Sequence, residues 1–461
     1  MHMKPITLAK AAQVVGGKLI GGDENTAIQQ VVMDSRRDVT GALFVAIPGN
    51  RVDGHDFVSD VLQRGAVCAL VEREMDIPGP LIVVDSTLGA IRDLAAYYRG
   101  LFDIPVIGIT GSVGKTGTKE MIAAVLSTKY NVHKTEGNFN NEIGTPMTIF
   151  GLREHHQVFV AEMGISDFGE MTRLTEMVRP DIAVFTIIGY AHIEFLGSRE
   201  GVLKAKGEMV KCLNPDGLFI ANGDDDILRP LKVTDLYPEQ TGVKKLIYGL
   251  TPGNDYRTEN IVNLGENGVA CTLIWGDTAI DVTIPVFGEH MVYAALAAAA
   301  VGVALGLSPA EIARGIESFT NADKRSDIFK TDFLTIIDDS YNANPTSVQA
   351  AITALANLPG RRVAVIGDMG ELGTDCNKLH HELGAFAALS GIDCIVCAGP
   401  LSEHTYRGVK DTNPDLQAWY FPDKDTALEA LPALLQQGDQ VLVKASRSGR
   451  FEDIVAALRM L

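Results

Sequence analysis

Short apolar runs bounded by turn residues, with helical patterns between them, recur along the whole chain. In the first hundred residues the runs are 31–33 (Val-Val-Met), 43–47, 68–71 and 81–84, with a helix-like stretch at 56–64. A second series opens after Pro105. Residues 106–109 form an apolar run, a Gly-rich turn follows, and a helical pattern covers 115–128. Runs 158–161 and 182–185 are apolar on both faces, as expected of strands covered on both sides. At 308–319 the sequence predicts a helix with a capping box. Ser308 caps it, Pro309 takes the first helical position and Glu311 lies three residues after the cap. From 320 onward, strand patterns at 334–337, 362–366, 394–398 and 440–443 alternate with helical ones, which predicts a doubly wound βαβ domain. The expected fold class is α/β in three domains, 1–100, 101–319 and 320–461, with parallel sheet in the second and third. No internal repeat or heptad run interrupts this pattern.

Length agrees: 461 residues at about 150 per domain is about three domains. Apolar residues are 46% and charged residues 21%, which excludes a disordered or fibrous chain. Lys plus Arg is 40 and Asp plus Glu is 58, a net charge of 40 − 58 = −18. That balance disfavours a non-specific nucleic-acid or anionic-membrane binder. The six cysteines are scattered, as expected in a reducing cytoplasm. Cys394 and Cys397 share the 394–398 run, where a strand would point them to opposite faces as buried thiols. Residues 291–307 carry no charge but are mostly Ala and Gly, which predicts a buried helix of a soluble protein rather than a membrane span. The first ten residues lack an apolar core, so no secretory signal is expected.

The most informative stretch is Gly108-Ile109-Thr110-Gly111-Ser112-Val113-Gly114-Lys115-Thr116. Glycines let successive backbone N–H groups converge on phosphate oxygens. Lys115 brings a point charge to the terminal phosphates, the Thr116 hydroxyl can ligate Mg²⁺, and the next helix directs its positive end at the anion. The strict G-x-x-x-x-G-K-T pattern fails only at Ile109. Strand before and helix after supply the required context, so a nucleoside triphosphate is expected here.

Other candidates are open to two readings. Glu162 ends the 158–161 run, where it is either a metal ligand beside the phosphate loop or a solvated strand-end acid. His192, after the 182–185 strand, reads first as an ordinary surface or core histidine. Lys204 and Lys206 read as a solvated helix face. Asn138 to Asn141, and the polar octet Asp338 to Pro345 at a strand's C-terminal end, are either turns or ligand sites.

Together these pieces resemble the Mur ligases, the ATP-dependent amide-forming enzymes of peptidoglycan synthesis. The likeness spans essentially the whole chain. It rests on Asp34-Ser35-Arg36 and Asp53-Gly54-His55-Asp56-Phe57, then on Thr110 to Thr116, Gly137-Asn138 through Gly144-Thr145-Pro146, Glu162-Met163-Gly164, Ala191-His192 and Lys204-Ala205-Lys206-Gly207-Glu208. In the last segment it rests on Asp338 to Pro345, Gly367-Asp368-Met369-Gly370-Glu371-Leu372-Gly373 and Val443-Lys444-Ala445-Ser446-Arg447. The Asp-Ser-Tyr-Asn-Ala-Asn-Pro and Gly-Asp-Met-x-Glu-Leu-Gly strings are similar to the branch that adds D-alanyl-D-alanine to UDP-N-acetylmuramoyl-tripeptide.

The resemblance implies a small N-terminal domain for the UDP-substrate, a central ATPase domain, and a Rossmann-like last domain that closes over ATP and takes the dipeptide. It implies ATP contacts from Thr110, Gly111, Ser112, Val113, Gly114, Lys115, Thr116, His290, Arg325 and Asp339. Two Mg²⁺ sites would involve Thr116, Glu162, His192 and Lys206, the last as a carbamate. Lys115, Lys206, His192 and Arg325 would be catalytic. Substrate contacts would come from Ser35, Arg36, Asp53, His55, Asn138, Asn141, Tyr341, Asn342, Asn344 and Lys444. The implied setting is the bacterial cytoplasm, and a monomer is expected. One departure stands out. Where the family commonly has Gly-x-His-Asn-x-x-Asn-Ala, this chain has Met291 and Ala294 for the two asparagines, one of which contacts adenine in the family. The rival readings are a sibling amide ligase, adding diaminopimelate, lysine or glutamate, and a phosphate-loop ATPase switch.

Overall fold

A computed structural model describes residues 3–49, 52–320 and 327–461. Three mixed sheets carry the architecture. The first runs in the order Lys18–Ile20, Leu81–Val83, Cys68–Val71, Ala42–Val45, Gln30–Val32, and only its first pair is antiparallel. The apolar runs anticipated at 31–33, 43–47, 68–71 and 81–84 supply its four parallel strands.

The central sheet has nine strands. Val106–Thr110 lies in its parallel part, between Val158–Glu162 and Ile182–Phe185. Beyond Leu218–Asn222 and Lys244–Tyr248 the sheet continues as an antiparallel meander, Tyr256–Asn263, Val269–Trp275 and Thr278–Ile284. A search for short apolar runs does not find this meander. Its strands alternate buried and open positions because one face meets solvent, the usual fate of antiparallel edges. The Met291–Ala304 helix is buried along most of its length, as its apolar composition predicts, and packs against the Lys115–Leu126 helix. Among the described residues, no helix is long and apolar enough to cross a membrane.

The last sheet runs Asp327–Lys330, Leu334–Asp338, Asp439–Lys444, Arg362–Gly367, Cys394–Ala398, Gln417–Phe421, parallel after the first pair. Cys394 and Cys397 point to opposite faces of it, into separate apolar clusters. Both thiols are free and buried, and burial pushes Cys394 up to about 12.

The hydrophobic core does not stop at residue 100. The Thr87–Arg99 helix sends Ile91, Leu94 and Tyr98 into one cluster with Phe150 and Leu152 of the central region. Tyr98 is fully buried; its hydroxyl accepts from Lys4 N (3.0 Å) and donates to Leu152 O (2.9 Å). Arg99 is buried beside it and donates to the carbonyls of Val178, Phe102 and Ile104. The first two regions are thus bonded through a common apolar layer. The last region has cores of its own, entered from outside by Phe287 and, at the edge, by Tyr190 and Ile193.

Candidate active site

The phosphate loop is built by close approach. Gly111 has φ 147° and Gly114 φ 83°, both in territory that favours glycine. A Cβ on Gly111 would sit 1.9 Å from Thr186 Oγ1. The Thr186 hydroxyl donates to Val113 O (2.6 Å), Ser112 N donates to Ile187 O (2.8 Å), and Ser112 Oγ accepts from Gly189 N (2.9 Å). The loop is therefore pinned to the end of the neighbouring strand. Lys115 opens the following helix and its Nζ donates to Gly111 O (2.7 Å). Thr110 is buried, with its hydroxyl on Met163 O.

Glu162 stands beside the loop because strand register pairs it with Ile109. It is 2% exposed. Thr116 Oγ1 donates to its Oε2 (2.9 Å) and Asn140 Nδ2 donates to its Oε1 (2.7 Å). Lys119 Nζ lies 3.8 Å away, fully buried, donating to Thr135 O (2.7 Å) and pairing with Glu120 (2.9 Å). Sequence reasoning missed Lys119 and Asn140. For Lys119 a signal existed: it follows Lys115 by four residues and so shares its helix face. For Asn140 none did, since any of the loop's amides could have turned inward.

Lys206 overturns the solvated-face reading. It is fully buried, and its amine has no hydrogen-bond partner. Burial, reinforced by Lys115, holds it well below the ordinary lysine range, toward the neutral amine. His192 lies within electrostatic reach. Burial, then the charges of Lys206 and Lys115, lower it to about 4, so the ring is neutral at physiological pH. Its Nδ1 comes within 2.6 Å of Glu371 Oε2, a group carried in by the last region, without the alignment of a hydrogen bond.

These residues fit a hard divalent cation only with one addition. Thr116 and Glu162 offer oxygens and His192 a nitrogen, but the Lys115 and Lys119 ammonium groups and the Lys206 amine stand around them. Among the described residues, no three of His, Cys, Asp or Glu converge as a ready metal cage. A magnesium ion prefers oxygen donors. The Lys206 amine, buried, unpartnered and held toward its neutral form, is the group whose carbamylation would add two oxygen donors and a negative charge to the site.

The remaining candidates divide. Asn138 and Asn141 line a cavity of about 730 Å³ that runs from the end of the Gln30–Val32 strand, past Met33 and Arg37, to Phe139 and Met147. Asn141 is also a local cap, accepting from Ile143 N and Gly144 N. Ser35, Arg36, Asp53 and His55 do not line this cavity. Arg36 folds back on Asp34 through two bonds (2.9 and 2.8 Å), which holds that carboxyl well below the usual range. His55 is 1% exposed and both ring nitrogens are used: Nδ1 lies 2.6 Å from Asp53 Oδ1 and Nε2 accepts from Glu72 N (2.9 Å). His55 and Asp53 pin the Gly54–Phe57 turn, and contact with His55 and Arg73 lowers Asp53 to about 2.

In the last region Asp339 pairs with Lys444 (2.5 Å), and Lys444 also donates to Asn342 O. Asn344 caps the Pro345–Ala356 helix by accepting from Ser347 N (2.9 Å), so that side chain is occupied locally. The Tyr341 ring lies under the Arg447 guanidinium. His290 is exposed at the start of the Met291–Ala304 helix, within the electrostatic field of Asp339 and Lys444. Met291 packs toward Gly117 in the phosphate-loop helix. Arg325 lies outside the described residues.

A pinned phosphate loop, a cavity on one side and a separate βαβ unit on the other define a three-domain nucleotide-dependent α/β protein. Residues 27–101 match the Mur ligase family, catalytic domain; 109–302 match the Mur ligase middle domain; 324–447 match the Mur ligase, glutamate ligase domain. The chain belongs to the Mur ligase family. It is 39% identical to the UDP-N-acetylmuramoyl-tripeptide–D-alanyl-D-alanine ligase of Bacillus subtilis, over 98% of each chain. It is 35% identical to that of Escherichia coli, over 99% of each. Among solved structures it is similar to MurF from Acinetobacter baumannii (TM-score 0.92, 32% identity, 100% of each chain) and to MurF ligase from Thermotoga maritima in complex with ADP (TM-score 0.82, 29% identity, 94% of this chain and 97% of that one). A folylpolyglutamate synthase from Mycobacterium tuberculosis, at 16% identity and TM-score 0.62, shares the fold alone.

Proposed function

We propose that this chain is an ATP-dependent amide ligase that joins D-alanyl-D-alanine to UDP-N-acetylmuramoyl-tripeptide, yielding the muramoyl pentapeptide for peptidoglycan. One observation carries the reading. On one side the loop that lines the cavity sends Asn140 to Glu162, which Thr116 of the phosphate loop also bonds; on the other, Glu371 of the last region reaches His192, within the field of Lys115. A triphosphate there lies between an acceptor compartment and a donor compartment. Likeness to relatives of that name over nearly the full length supports it over the sibling ligases and over a simple ATPase switch.

A carboxylate resists amine attack because it is anionic and oxide is a poor leaving group. In the proposed first step a carboxylate oxygen of the tripeptide attacks the γ-phosphorus, the bond to the β-bridging oxygen breaks, and ADP leaves. The dipeptide amine then attacks the acyl carbon and loses a proton. The tetrahedral intermediate expels phosphate, which retains one carboxylate oxygen. Unit like charges about 4 Å apart repel by about 4 kcal/mol at an effective dielectric of 20. Lys115 and the loop N–H groups, with Arg325, offset that repulsion and orient the γ-phosphate. Thr116, Glu162, His192 and carbamylated Lys206 would hold Mg²⁺, which when bound adds charge neutralisation. Asp339 serves the nucleotide; Tyr341, Asn342 and Lys444 form the donor side. The six unpaired cysteines suit the reducing compartment in which nucleotide-linked precursors are made, and the chain acts there as a monomer.

The test is phosphate release over a matrix of UDP-muramoyl peptides and dipeptides. A ligase consumes ATP only when acceptor and amine donor are both present, and ¹⁸O from the acceptor carboxylate appears in the phosphate. Slow hydrolysis indifferent to both would leave the switch reading.

A further inference from the structure

The Gly-Asp-Met-Gly-Glu-Leu-Gly loop after the Arg362–Gly367 strand is anchored on both sides of one exposed acid. Met369 and Leu372 are buried, and Met369 N donates to His380 Nε2 (3.0 Å). Between them Glu371 adopts φ 60°, a left-handed conformation that costs a non-glycine residue about 1–3 kcal/mol. The anchors turn its side chain away from its own domain and toward the central one. There its carboxylate meets His192 Nδ1 at 2.6 Å, and its carbonyl accepts from Glu194 N (3.2 Å). Gly373 allows the approach: a Cβ there would lie 3.2 Å from Glu194 Cα. His192 has the same unusual backbone, φ 59°. Among the described residues, two of the five non-glycine residues with positive φ thus meet side chain to side chain across a domain boundary.

We infer that Glu371 is a positioning residue for His192: docking of the last domain brings its carboxylate to Nδ1, fixes the proton there and turns Nε2 toward the phosphate centre. This rests on the ligase reading of the site, in which His192 is a metal ligand. Histidines that bind metals commonly donate their other ring N–H to a carboxylate, and loss of that partner commonly costs 10- to 100-fold in affinity or activity. Here the carboxylate belongs to a different domain from the ligand. Ion binding is therefore conditional on closure, and a half-assembled site does not hold the ion in a competent geometry. Among the described residues Nδ1 is buried with no aligned hydrogen-bond partner, and the Glu371 carboxylate at 2.6 Å is the acceptor a small turn of the ring would bring into line.

The experiment is a double-mutant cycle on the full chain with Glu371→Ala, His192→Ala and the pair, with Glu371→Gln as the conservative variant. The first readout is Mn²⁺ affinity by electron paramagnetic resonance in the presence of a non-hydrolysable ATP analogue. The second is kcat and KM for each substrate. Glu371→Ala should weaken Mn²⁺ about 10-fold or more and lower kcat, with the KM for the UDP-substrate unchanged. Glu371→Gln, which still offers an acceptor oxygen, should recover much of the loss, and the double variant should be no worse than His192→Ala. Additive losses would overturn the inference and make Glu371 a domain latch only. An unchanged Mn²⁺ affinity in Glu371→Ala would overturn it as well. The ion readout needs no turnover, so absence of ATP consumption by the wild type would sink the ligase reading separately.

Discussion

The amide of Asn140 gives the sharpest test of how Glu162 is held. Glu162 is buried, and each of its carboxylate oxygens accepts one side-chain hydrogen bond, from Thr116 at 2.9 Å and from Asn140 at 2.7 Å. A hydrogen bond to a charged group is worth about 1.5–3 kcal/mol. If that restraint is fully felt in the transition state for phosphoryl transfer, Asn140→Ala should slow acyl-phosphate formation about 10- to 150-fold, at about 1.36 kcal/mol per decade. Asn140→Asp is nearly isosteric but sets carboxylate against carboxylate. At the observed separation and an effective dielectric of 20 the repulsion reaches about 6 kcal/mol before relaxation, so this variant should be at least another order of magnitude slower. The assay is single-turnover trapping of the acyl phosphate with hydroxylamine, alongside urea denaturation to confirm folding. Should Asn140→Ala trap acyl phosphate within two-fold of the wild-type rate, the amide does not restrain Glu162.

Three further outcomes follow from the same geometry. Lys206→Ala should lose ligase activity and regain part of it with short carboxylic acids, while wild-type activity should depend on bicarbonate; neither effect being seen would exclude a carbamate. Tyr98→Phe strands Lys4 N and Leu152 O where the first and central regions share a core, and should cost about 1–3 kcal/mol of stability with substrate KM values unchanged, read from urea midpoints; a midpoint equal to wild type would show the hydroxyl to be replaceable by water. His156 is lowered to about 4 by burial and by His133, His155 and Arg153, against an ordinary value of 6.5. A base with a depressed folded value is protonated first in the unfolded chain, so stability should fall as pH drops from about 6.5 toward 4. His156→Gln should flatten that slope, and parallel pH profiles for the two proteins would refute the assignment.

Much of this protein was legible along the chain, for reasons that differ by element. The parallel strands at 43–47, 106–109, 158–161 and 394–398 could be read because both faces are covered, which leaves continuous apolar runs. The Ser308 cap was legible because capping is local: its hydroxyl accepts from Glu311 N and the Glu311 carboxylate accepts in return, all within one turn. The phosphate loop was legible because its chemistry is carried by consecutive backbone groups. The meander at 256–284 was not, since strands half open to water have no such run.

Side chains that act across the sequence show where this reading ends. Lys206 has the neighbours of a surface lysine, and only the packing of its helix removes it from water. Asn140, rather than Asn138 or Asn141, reaches Glu162 because the loop's fold points one amide inward and spends another on a cap. His55 sits in a motif that resembles a ligand site, yet the turn it belongs to consumes both its nitrogens. Glu371 faces His192 from 179 positions away (371 − 192 = 179), brought there by domain docking. Sequence by itself determined what depends on neighbours within a few residues: the period of a strand, the cap of a helix, the nest of a phosphate loop. Burial, partner choice and electrostatic field depend on which distant surfaces meet, and those only the tertiary structure decided.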